Sequence, residues 1–475
     1  MSKLRAPTAL ALMLTLAGCT TVGPNYKLPA SALVNAPVVK GEFLGAKNES
    51  MVDRPPPDHW WRLYQDQLLD RLEDEALAAN TDLRVAAANI RQARSISSQT
   101  RSQLDEPHMQ LSAGAERAQL SGESYLLPMQ MPDMTLGDVG FSMSYQVDLF
   151  GRLKRAAEAS EADVEAARAG YDLVRVTVAA NVAAAYVDVC SAGEELAAAE
   201  QSIDLQAKSL EATRRLALAG RGQTIDIARA EAQLMQLRAT PPALAARRQA
   251  ALYRLAALMG RTPLDYPRDV ERCAEPPRLA TPLPVGDGAS LLQRRPDVRA
   301  AERRLASATA RIGVAAAALY PSVGLGLDSG SSGKLTDLGR SRTNSWNLGG
   351  LIHWSFPDTA ARARVRQASA GADAALASFD GVVLNALRET ETSLSAYAQD
   401  LQRNAALRVA RDQSAKAAAE ARRLYQGGRS AYLSSLDAER SLANMDASVA
   451  ASDGQLAADQ VRLFLALGGG WAGAD

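Results

Sequence analysis

The sequence predicts an α+β membrane protein in which each chain supplies four β-strands and continues into long α-helices. Three observations support this prediction. The chain of 475 residues contains two copies of one unit. Each copy carries two short runs in which apolar and polar residues alternate, as in strands with unlike faces. Each copy then enters a long stretch without proline whose apolar residues recur every seven positions, which is typical of packed helices.

The first 18 residues have the composition of a secretory signal peptide. Two basic residues precede an apolar run at residues 6–17, which is too short to span a bilayer as a helix. The run closes with Leu16-Ala17-Gly18-Cys19, which resembles the lipobox of bacterial lipoproteins. The resemblance implies a covalent diacylglycerol and an N-acyl lipid on Cys19, and no other cofactor. Thr20 stands where an Asp would imply retention at the inner membrane, so we expect export to the outer membrane.

The two copies occupy residues 59–273 and 291–475. A lipidated N-terminal linker at residues 19–58 precedes them, and a proline-rich linker at residues 274–290 separates them. A shift of 208 residues brings similar stretches into register, and the shift becomes 215 further upstream, so the length difference lies in the loops between. Matched stretches are Arg214-Arg215-Leu216 with Arg422-Arg423-Leu424, Gly220-Arg221 with Gly428-Arg429, Ala230-Glu231 with Ala438-Glu439, and Asp82-Leu83-Arg84 with Asp297-Val298-Arg299.

Each copy begins with a predicted helix, Leu68 to about Leu104 and Val298 to about Leu319. Two strands follow, each about as long as the roughly 9 to 11 residues of a membrane strand. Residues 329–345, rich in Gly and Ser, are predicted to form a loop. The alternating apolar positions are Met109, Leu111, Ala113 and Ala115; Phe141, Met143, Tyr145, Val147 and Leu149; Val323, Leu325 and Leu327; and Trp346, Leu348, Gly350, Ile352 and Trp354.

The helical stretch that follows is unusually long. Ala156 to Leu218 alone could extend about 95 Å at 1.5 Å per residue. Breaks are predicted at residues 219–222 and 427–430, because glycine relaxes the φ restriction that keeps a chain helical. The glycines expected to turn the chain are Gly220, Gly222, Gly427 and Gly428.

The organisation of strands and helices predicts a channel. Four amphipathic strands cannot close a barrel alone, and open sheet edges in lipid leave unpaired backbone groups. We therefore expect strands from several chains to be pooled, with the polar face towards a lumen and the apolar face towards lipid. The helices are predicted to be too polar to cross the bilayer and to project into the periplasm.

Composition and motifs argue against other classes of protein. The chain has 53 basic and 53 acidic residues, so it lacks the basic excess of a nucleic-acid-binding protein. His59, His108 and His353 are isolated, and the sequence contains no HExxH, GxSxG, P-loop or CxxC motif, so neither an enzyme nor a metal site is predicted. Cys190 and Cys273 are expected to be unpaired thiols, although an oxidising periplasm would also allow one disulfide.

Several stretches together resemble the outer-membrane factor (TolC-like) family of tripartite efflux systems, and specifically its NodT-type lipoprotein branch. The resemblance covers nearly all of the mature chain. It rests on Trp60-Trp61-Arg62-Leu63-Tyr64, Asp148-Leu149-Phe150-Gly151-Arg152, Arg294-Arg295-Pro296-Asp297-Val298-Arg299, Ala310-Arg311-Ile312-Gly313-Val314, Tyr320-Pro321, Leu436-Asp437-Ala438-Glu439 and Leu467-Gly468-Gly469-Gly470-Trp471.

The resemblance implies a homotrimer with a single 12-stranded β-barrel, four strands per chain, continued by a long periplasmic α-helical barrel. It implies a periplasmic adaptor (membrane fusion) protein and an inner-membrane RND-type pump as partners, together with outer-membrane lipid. The two helix breaks would form a periplasmic tip that is closed at rest. By position near these breaks, the hypothesised gate residues are Asp226, Arg429, Tyr432 and Asp437. Ser430 and Ser434 stand where some relatives carry a charged gate residue, which puts a carboxylate ring in doubt.

Other functions remain open at this point. A coiled-coil structural lipoprotein would need no amphipathic hairpins, and an adaptor would carry one coiled-coil hairpin rather than two copies. A duct for protein secretion is the main alternative within the channel interpretation. Lipidation and the stretch Arg294-Arg295-Pro296-Asp297 favour a passive outer-membrane conduit for drugs or other small molecules.

Overall fold

The computed structural model describes residues 21–46, 50–123, 126–355 and 357–469. The predicted signal peptide, Cys19, and Gly470-Trp471 lie outside the described residues. The chain forms two compact units. The first comprises Met1–Pro29, in its described part, with Asn89–Ala167 and Ala300–Phe379; the second comprises Ala30–Ala88, Arg168–Arg299 and Asp380–Asp475.

The first unit contains a four-stranded antiparallel sheet. Its strands are β2 (His108–Gln119), β3 (Asp133–Val147), β5 (Ser322–Lys334) and β6 (Asn344–His353), in the spatial order β2-β3-β5-β6. The four predicted runs are confirmed as strands. β6 has the predicted length, whereas β2, β3 and β5 are longer than predicted. β5 continues to Lys334 through residues that the sequence assigned to a loop. The Ser and Gly residues there pair with β3, so they belong to a strand rather than to a turn.

The remaining elements are mostly helices. A two-residue strand β1 (Met51–Val52) pairs in parallel with β4 (Leu283–Pro284) in the linker between the copies. The helices are α1 (Gln67–Ala79), α2 (Thr81–Asp105), α3 (Arg152–Leu218), α4 (Thr224–Arg238), α5 (Pro241–Leu258), α6 (Gly288–Arg294), α7 (Pro296–Ala317), α8 (Thr359–Gln426) and α9 (Tyr432–Ala466).

The first predicted helix, Leu68 to Leu104, is in fact two helices. The chain breaks at Asn80, whose Oδ1 accepts hydrogen bonds from Asp82 N at 2.8 Å and Leu83 N at 3.2 Å. This side chain therefore caps the start of α2. Its Nδ2 donates to Leu258 O at 2.8 Å, which ties the break to α5. The periodicity of the apolar residues continues across Asn80, and so the sequence pattern concealed the break.

The second unit has an aromatic and aliphatic core. Trp60 and Trp61 are fully buried, and the Trp60 ring stacks on Phe464 with centroids 4.5 Å apart. The middle of α3 packs against this core, and α3 contains an 18-residue stretch that is long and apolar enough to cross a membrane. The expectation that all helices are too polar to cross a membrane is therefore wrong for α3 by composition. Since most of that stretch is buried, it has the character of a core helix.

Cys190 and Cys273 form a disulfide, so the expectation of two free thiols is wrong. Cys190 is fully buried on α3, and Cys273 follows a short 3-10 turn at Val270–Arg272. The Cys273 carbonyl lies against Gly193, one turn further along α3, where a Cβ would come within 2.2 Å of that oxygen. Glycine at this position lets the loop approach the helix closely enough for the bond. The two cysteines are 83 residues apart, so no local spacing indicated the pair.

Candidate functional site

The strand register places most of the apolar side chains of the four strands on one face of the sheet. Met109 pairs with Met143, Met143 with Leu327, and Leu327 with Leu348. Because side chains alternate along each strand, every second residue joins the same face. This apolar face comprises Met109, Leu111, Ala113, Val139, Phe141, Met143, Tyr145, Val147, Val323, Leu325, Leu327, Trp346, Leu348 and Ile352.

The opposite face of the sheet is mostly polar or small. His108 pairs with Ser144 at one edge and His353 with Ser322 at the other, so both histidines lie on strands. The described residues contain no group of three or more His, Cys, Asp or Glu that could hold a metal ion. The polar face includes Gln110, Ser112, Asp138, Ser142, Gln146, Gly324, Gly326, Asp328 and Asn347, with Met134, Leu136 and Leu351 as the larger apolar exceptions.

The two outer edges of the sheet are open. Within the described chain, β2 pairs only with β3, and β6 pairs only with β5. An open edge presents unpaired backbone groups, which native proteins normally cover or pair. The same sheet also exposes apolar side chains to solvent, including Leu111 (76% exposed) and Leu348 (72%). An exposed apolar patch of this kind marks a site of contact with a membrane or a protein.

The junction between β3 and α3 is formed by Asp148 and Gly151. The Asp148 carboxylate accepts a hydrogen bond from Lys154 N at 2.9 Å, which satisfies a free amide in the first turn of α3. Gly151 has φ of +76°, a left-handed conformation that glycine adopts readily. Asp148 therefore manages the turn from strand into helix.

The two predicted tip turns have the same backbone geometry. Arg221 N donates to Leu216 O at 2.9 Å and Gly220 N donates to Ala217 O at 3.0 Å. In the second copy Arg429 N donates to Leu424 O at 2.8 Å and Gly428 N to Tyr425 O at 2.9 Å. Both are Schellman motifs, with Gly220 at φ +70° and Gly428 at φ +71°. The four glycines Gly220, Gly222, Gly427 and Gly428 lie in these two turns.

The hypothesised gate residues occupy different environments around the turns. Asp226 lies in the first turn of α4, 3.5 Å from Arg229. Arg429 and Asp437 are exposed. Tyr432 is only 2% exposed and packs against Tyr425, with ring centroids 5.2 Å apart. Burial raises the pKa of Tyr432. Arg429 and Asp437 are thus exposed beside the second turn, whereas Tyr432 belongs to the packing beneath it.

Two ion pairs near the turns were missed as functional candidates. Arg214 on α3 pairs with Glu231 on α4, and Arg422 on α8 pairs with Glu439 on α9 at 2.9 Å. Each pair joins the two helices that leave one turn. The second pair is less exposed, because the Glu439 side chain is 8% exposed and that of Glu231 is 48%. The signal was present in the sequence, since the shift of 208 residues aligns both arginines and both glutamates.

A charged cluster joins three helices elsewhere in the second unit. Asp453 on α9 accepts hydrogen bonds from Arg408 at 2.6 and 2.7 Å and from Asn404 Nδ2 at 2.6 Å. Glu194 on α3 belongs to the same cluster. Burial, followed by the negative charge of Asp453, raises the pKa of Glu194 to about 7.

Comparison with known proteins gives matches along nearly the whole chain. A model of the outer membrane efflux protein family matches residues 72–261 and again residues 289–469. The outer membrane protein OprJ of Pseudomonas aeruginosa is 30% identical to this chain, over 98% of this chain and 95% of OprJ. The probable outer membrane lipoprotein SilC of Salmonella typhimurium is 27% identical, over 98% of each chain.

The fold is also similar to solved structures. The outer-membrane channel OprN superimposes with a TM-score of 0.87 and 33% sequence identity. The match covers 95% of this chain and 99% of that chain. The match therefore includes the sheet, the helices and the two turns.

Proposed function

Because the chain belongs to the outer membrane efflux protein family, we propose that three copies pool their four-stranded sheets into one 12-stranded barrel, which the helices continue as a periplasmic α-helical barrel. The protein is an efflux channel of the outer membrane, in a family of channels rather than enzymes. The apolar face shared by all four strands, combined with two open edges, carries the proposal of pooling. The separate match of the family model to each half supports two internal repeats.

The channel is a passive conduit for drugs or other small molecules. An inner-membrane RND-type pump supplies them through a periplasmic adaptor, which docks at the turns after α3 and α8. Family membership supports this arrangement over a spacer or an adaptor. The description of SilC as a lipoprotein supports a diacylglycerol and an N-acyl chain on Cys19.

The gate lies at the two turns. Arg429 and Asp437 are exposed in one chain, so they are free to form an ion pair or hydrogen bond with a neighbouring protomer, with Asp226 as a further carboxylate beside the first turn. Tyr432, packed on Tyr425 beneath the second turn, would set the position of that turn. A latch between protomers would bias a tip that has two states, closed at rest and open when docked.

The first experiment is single-channel conductance of the purified protein in a planar bilayer, with the oligomer mass measured in detergent. We expect a trimer with small conductance. Arg429→Ala or Asp437→Ala should increase the conductance severalfold, because either change removes one side of the latch. Arg440→Ala is the matched control, since Arg440 is also an exposed arginine near the second turn, on α9.

The outcomes separate the parts of the proposal. A monomer that never conducts would exclude the pooled barrel. A conducting trimer whose conductance is unchanged by both variants would keep the channel and remove Arg429 and Asp437 from the gate.

A further inference from the structure

The segment Thr21–Tyr26, here called the clasp segment, is fastened to the first unit around one buried arginine. We propose that Arg155 is a positioning residue that holds the lipidated N-terminus against the end of the sheet where the helices begin. The membrane role rests on the lipidation of Cys19 proposed above. In this way the lipid anchor and this end of the sheet meet the membrane at the same face, the periplasmic one.

The hydrogen bonds of Arg155 support this role. Its side chain is 4% exposed and makes four hydrogen bonds, three of them to the clasp segment. Nε donates to Val22 O at 3.1 Å, and Nη2 donates to Gly23 O at 3.1 Å and to Asn25 Oδ1 at 2.7 Å. A buried guanidinium is costly unless its donors are satisfied. The clasp segment is thus part of the environment that Arg155 requires.

Close backbone contacts fix the clasp segment further. A Cβ on Gly23 would lie 2.4 Å from Gly313 Cα, and a Cβ on Gly151 would lie 2.4 Å from Thr21 Cγ2. A Cβ on Gly313 would lie 2.7 Å from Arg155 Cγ. Glycine at these positions therefore allows the clasp segment to lie directly on the start of α3 and on the end of α7. Side chains larger than hydrogen at these positions would displace either the segment or Arg155.

The far end of the clasp segment is held by α7. The Tyr26 hydroxyl donates to Glu302 Oε1 at 2.8 Å, and the Arg303 guanidinium lies 5.6 Å from the centroid of the Tyr26 ring. The segment is consequently bound to helices from both sequence copies. A tether that only linked the lipid to the protein would not need these contacts.

The start of the clasp segment lies at one end of the sheet. Val22 N donates to Phe150 O at 3.0 Å, and the Phe150 ring stacks on Tyr320 with centroids 4.7 Å apart. Phe150 follows β3 and Tyr320 precedes β5, so both mark the end at which Val147 pairs with Val323. Trp354, just after β6, donates to Leu319 O at 3.2 Å at the same end.

Aromatic side chains at the ends of membrane strands commonly lie at the level of the lipid headgroups. Cys19 precedes Thr21 by two residues, and two residues of extended chain span at most about 7 Å. Acyl chains on Cys19 must therefore enter the bilayer beside these aromatic residues for as long as the clasp is closed. The partner of this surface is the periplasmic leaflet of the outer membrane.

A photo-crosslinking experiment tests the position of the N-terminus in the full-length protein in its membrane. The photoreactive residue p-benzoyl-phenylalanine replaces Tyr320, and cells are fed an alkyne fatty acid that labels lipidated cysteine. We expect a crosslink from position 320 to the N-terminal peptide that carries the label. Arg155→Gln should reduce the crosslink at least about tenfold, the effect of losing one or more charge-assisted hydrogen bonds.

Two variants make this test specific. Lys154→Gln removes the same charge from the neighbouring exposed position and should leave the crosslink unchanged. Asn25→Ala removes one Arg155 partner at an exposed position of the clasp segment and should weaken the crosslink even if Arg155→Gln fails to fold. Trypsin cleavage after Lys27 should become faster in Arg155→Gln and Asn25→Ala, because the cleaved segment must first detach.

The results also separate this inference from the proposed lipidation. Equal crosslinking in the wild type, Arg155→Gln and Asn25→Ala would overturn the positioning role. The mass of the N-terminal peptide reports lipidation independently. An unmodified Cys19 would overturn the lipid anchor, whereas Cys19→Ser should still protect Lys27 from trypsin if the clasp closes by its own contacts.

Discussion

Glu194 lies among charges of both signs in the second unit. The negative charges of Asp453 and Glu275 raise its pKa, and the positive charges of Arg278 and Arg408 lower it, but burial is the largest influence. Glu73 on α1 is a more extreme case, because it is fully buried and its pKa is raised well above the usual value. These carboxyl groups favour the protonated form in the folded state.

This predicts a stability that depends on pH near neutrality. The pKa of Glu194 is raised from 4.5 to about 7 on folding. Its protonated form therefore contributes stability below pH 4.5, and this contribution is lost as the pH rises through about 7. Glu194→Gln should raise the melting temperature at pH 8 and flatten its dependence on pH between 5 and 8.

Thermal melting at several pH values in detergent measures this effect. Glu200→Gln is the control, because Glu200 is exposed on the same helix. A Glu194→Gln variant that melts with the same pH profile as the wild type would show that Glu194 is already charged at neutral pH.

At the scale of single elements, the strands and turns were predicted well. Period-two alternation identifies a strand only when its two faces differ, and all four strands meet that condition. The glycines at positions 220 and 428 were sufficient to predict the turns because few other residues adopt their positive φ. The length of β5 was underestimated, because residues 329–334 have the composition of a loop but pair with β3 as a strand.

Contacts between distant elements were not predicted. Asn80 separates α1 from α2 by capping the start of α2. An asparagine on the exposed face of one continuous helix would give the same sequence pattern. The burial of Tyr432 depends on α3, which lies more than two hundred residues away in the sequence. The role of Arg155 gave no sequence signal either, because its partners in the clasp segment are two backbone carbonyls and the side-chain amide of Asn25.

The sheet predicts opposite results for two neighbouring residues on β6. Leu348 lies on the apolar face and Asn347 on the polar face, and both are exposed in one chain. Leu348→Arg should prevent stable insertion, because an arginine facing lipid near the bilayer midplane costs about 2–4 kcal/mol. Asn347→Arg should insert normally, since its side chain would face the lumen.

The fraction of protein integrated in outer membranes after an alkaline wash gives the comparison. Equal integration of Leu348→Arg and Asn347→Arg would contradict the assignment of the two faces.

At the scale of the whole chain, the disulfide connects α3 to the loop that leads into the linker between the copies. It closes a long loop, so it limits the conformations of the unfolded chain. Replacing both cysteines, Cys190→Ala with Cys273→Ala, should lower the free energy of unfolding by about 2–5 kcal/mol. Melting of the wild type should shift when a reductant is added, and melting of the double variant should not.

A wild type that melts at the same temperature with and without reductant would mean that the bond is absent or contributes no stability. Mass spectrometry of non-reduced peptides distinguishes these two cases.

The same bond gives the two helical hairpins different mechanical properties. The first turn, at Gly220, lies within a covalent ring closed between Cys190 and Cys273. The chain has three cysteines, and none follows Cys273, so the second turn, at Gly428, lies in no such ring. Force applied at the tip would be borne by a covalent crosslink in the first hairpin. In the second it would be borne by contacts such as Arg422 with Glu439 and Arg408 with Asp453, which break at far lower loads. We therefore expect the second hairpin to deform more easily than the first when force is applied at its turn.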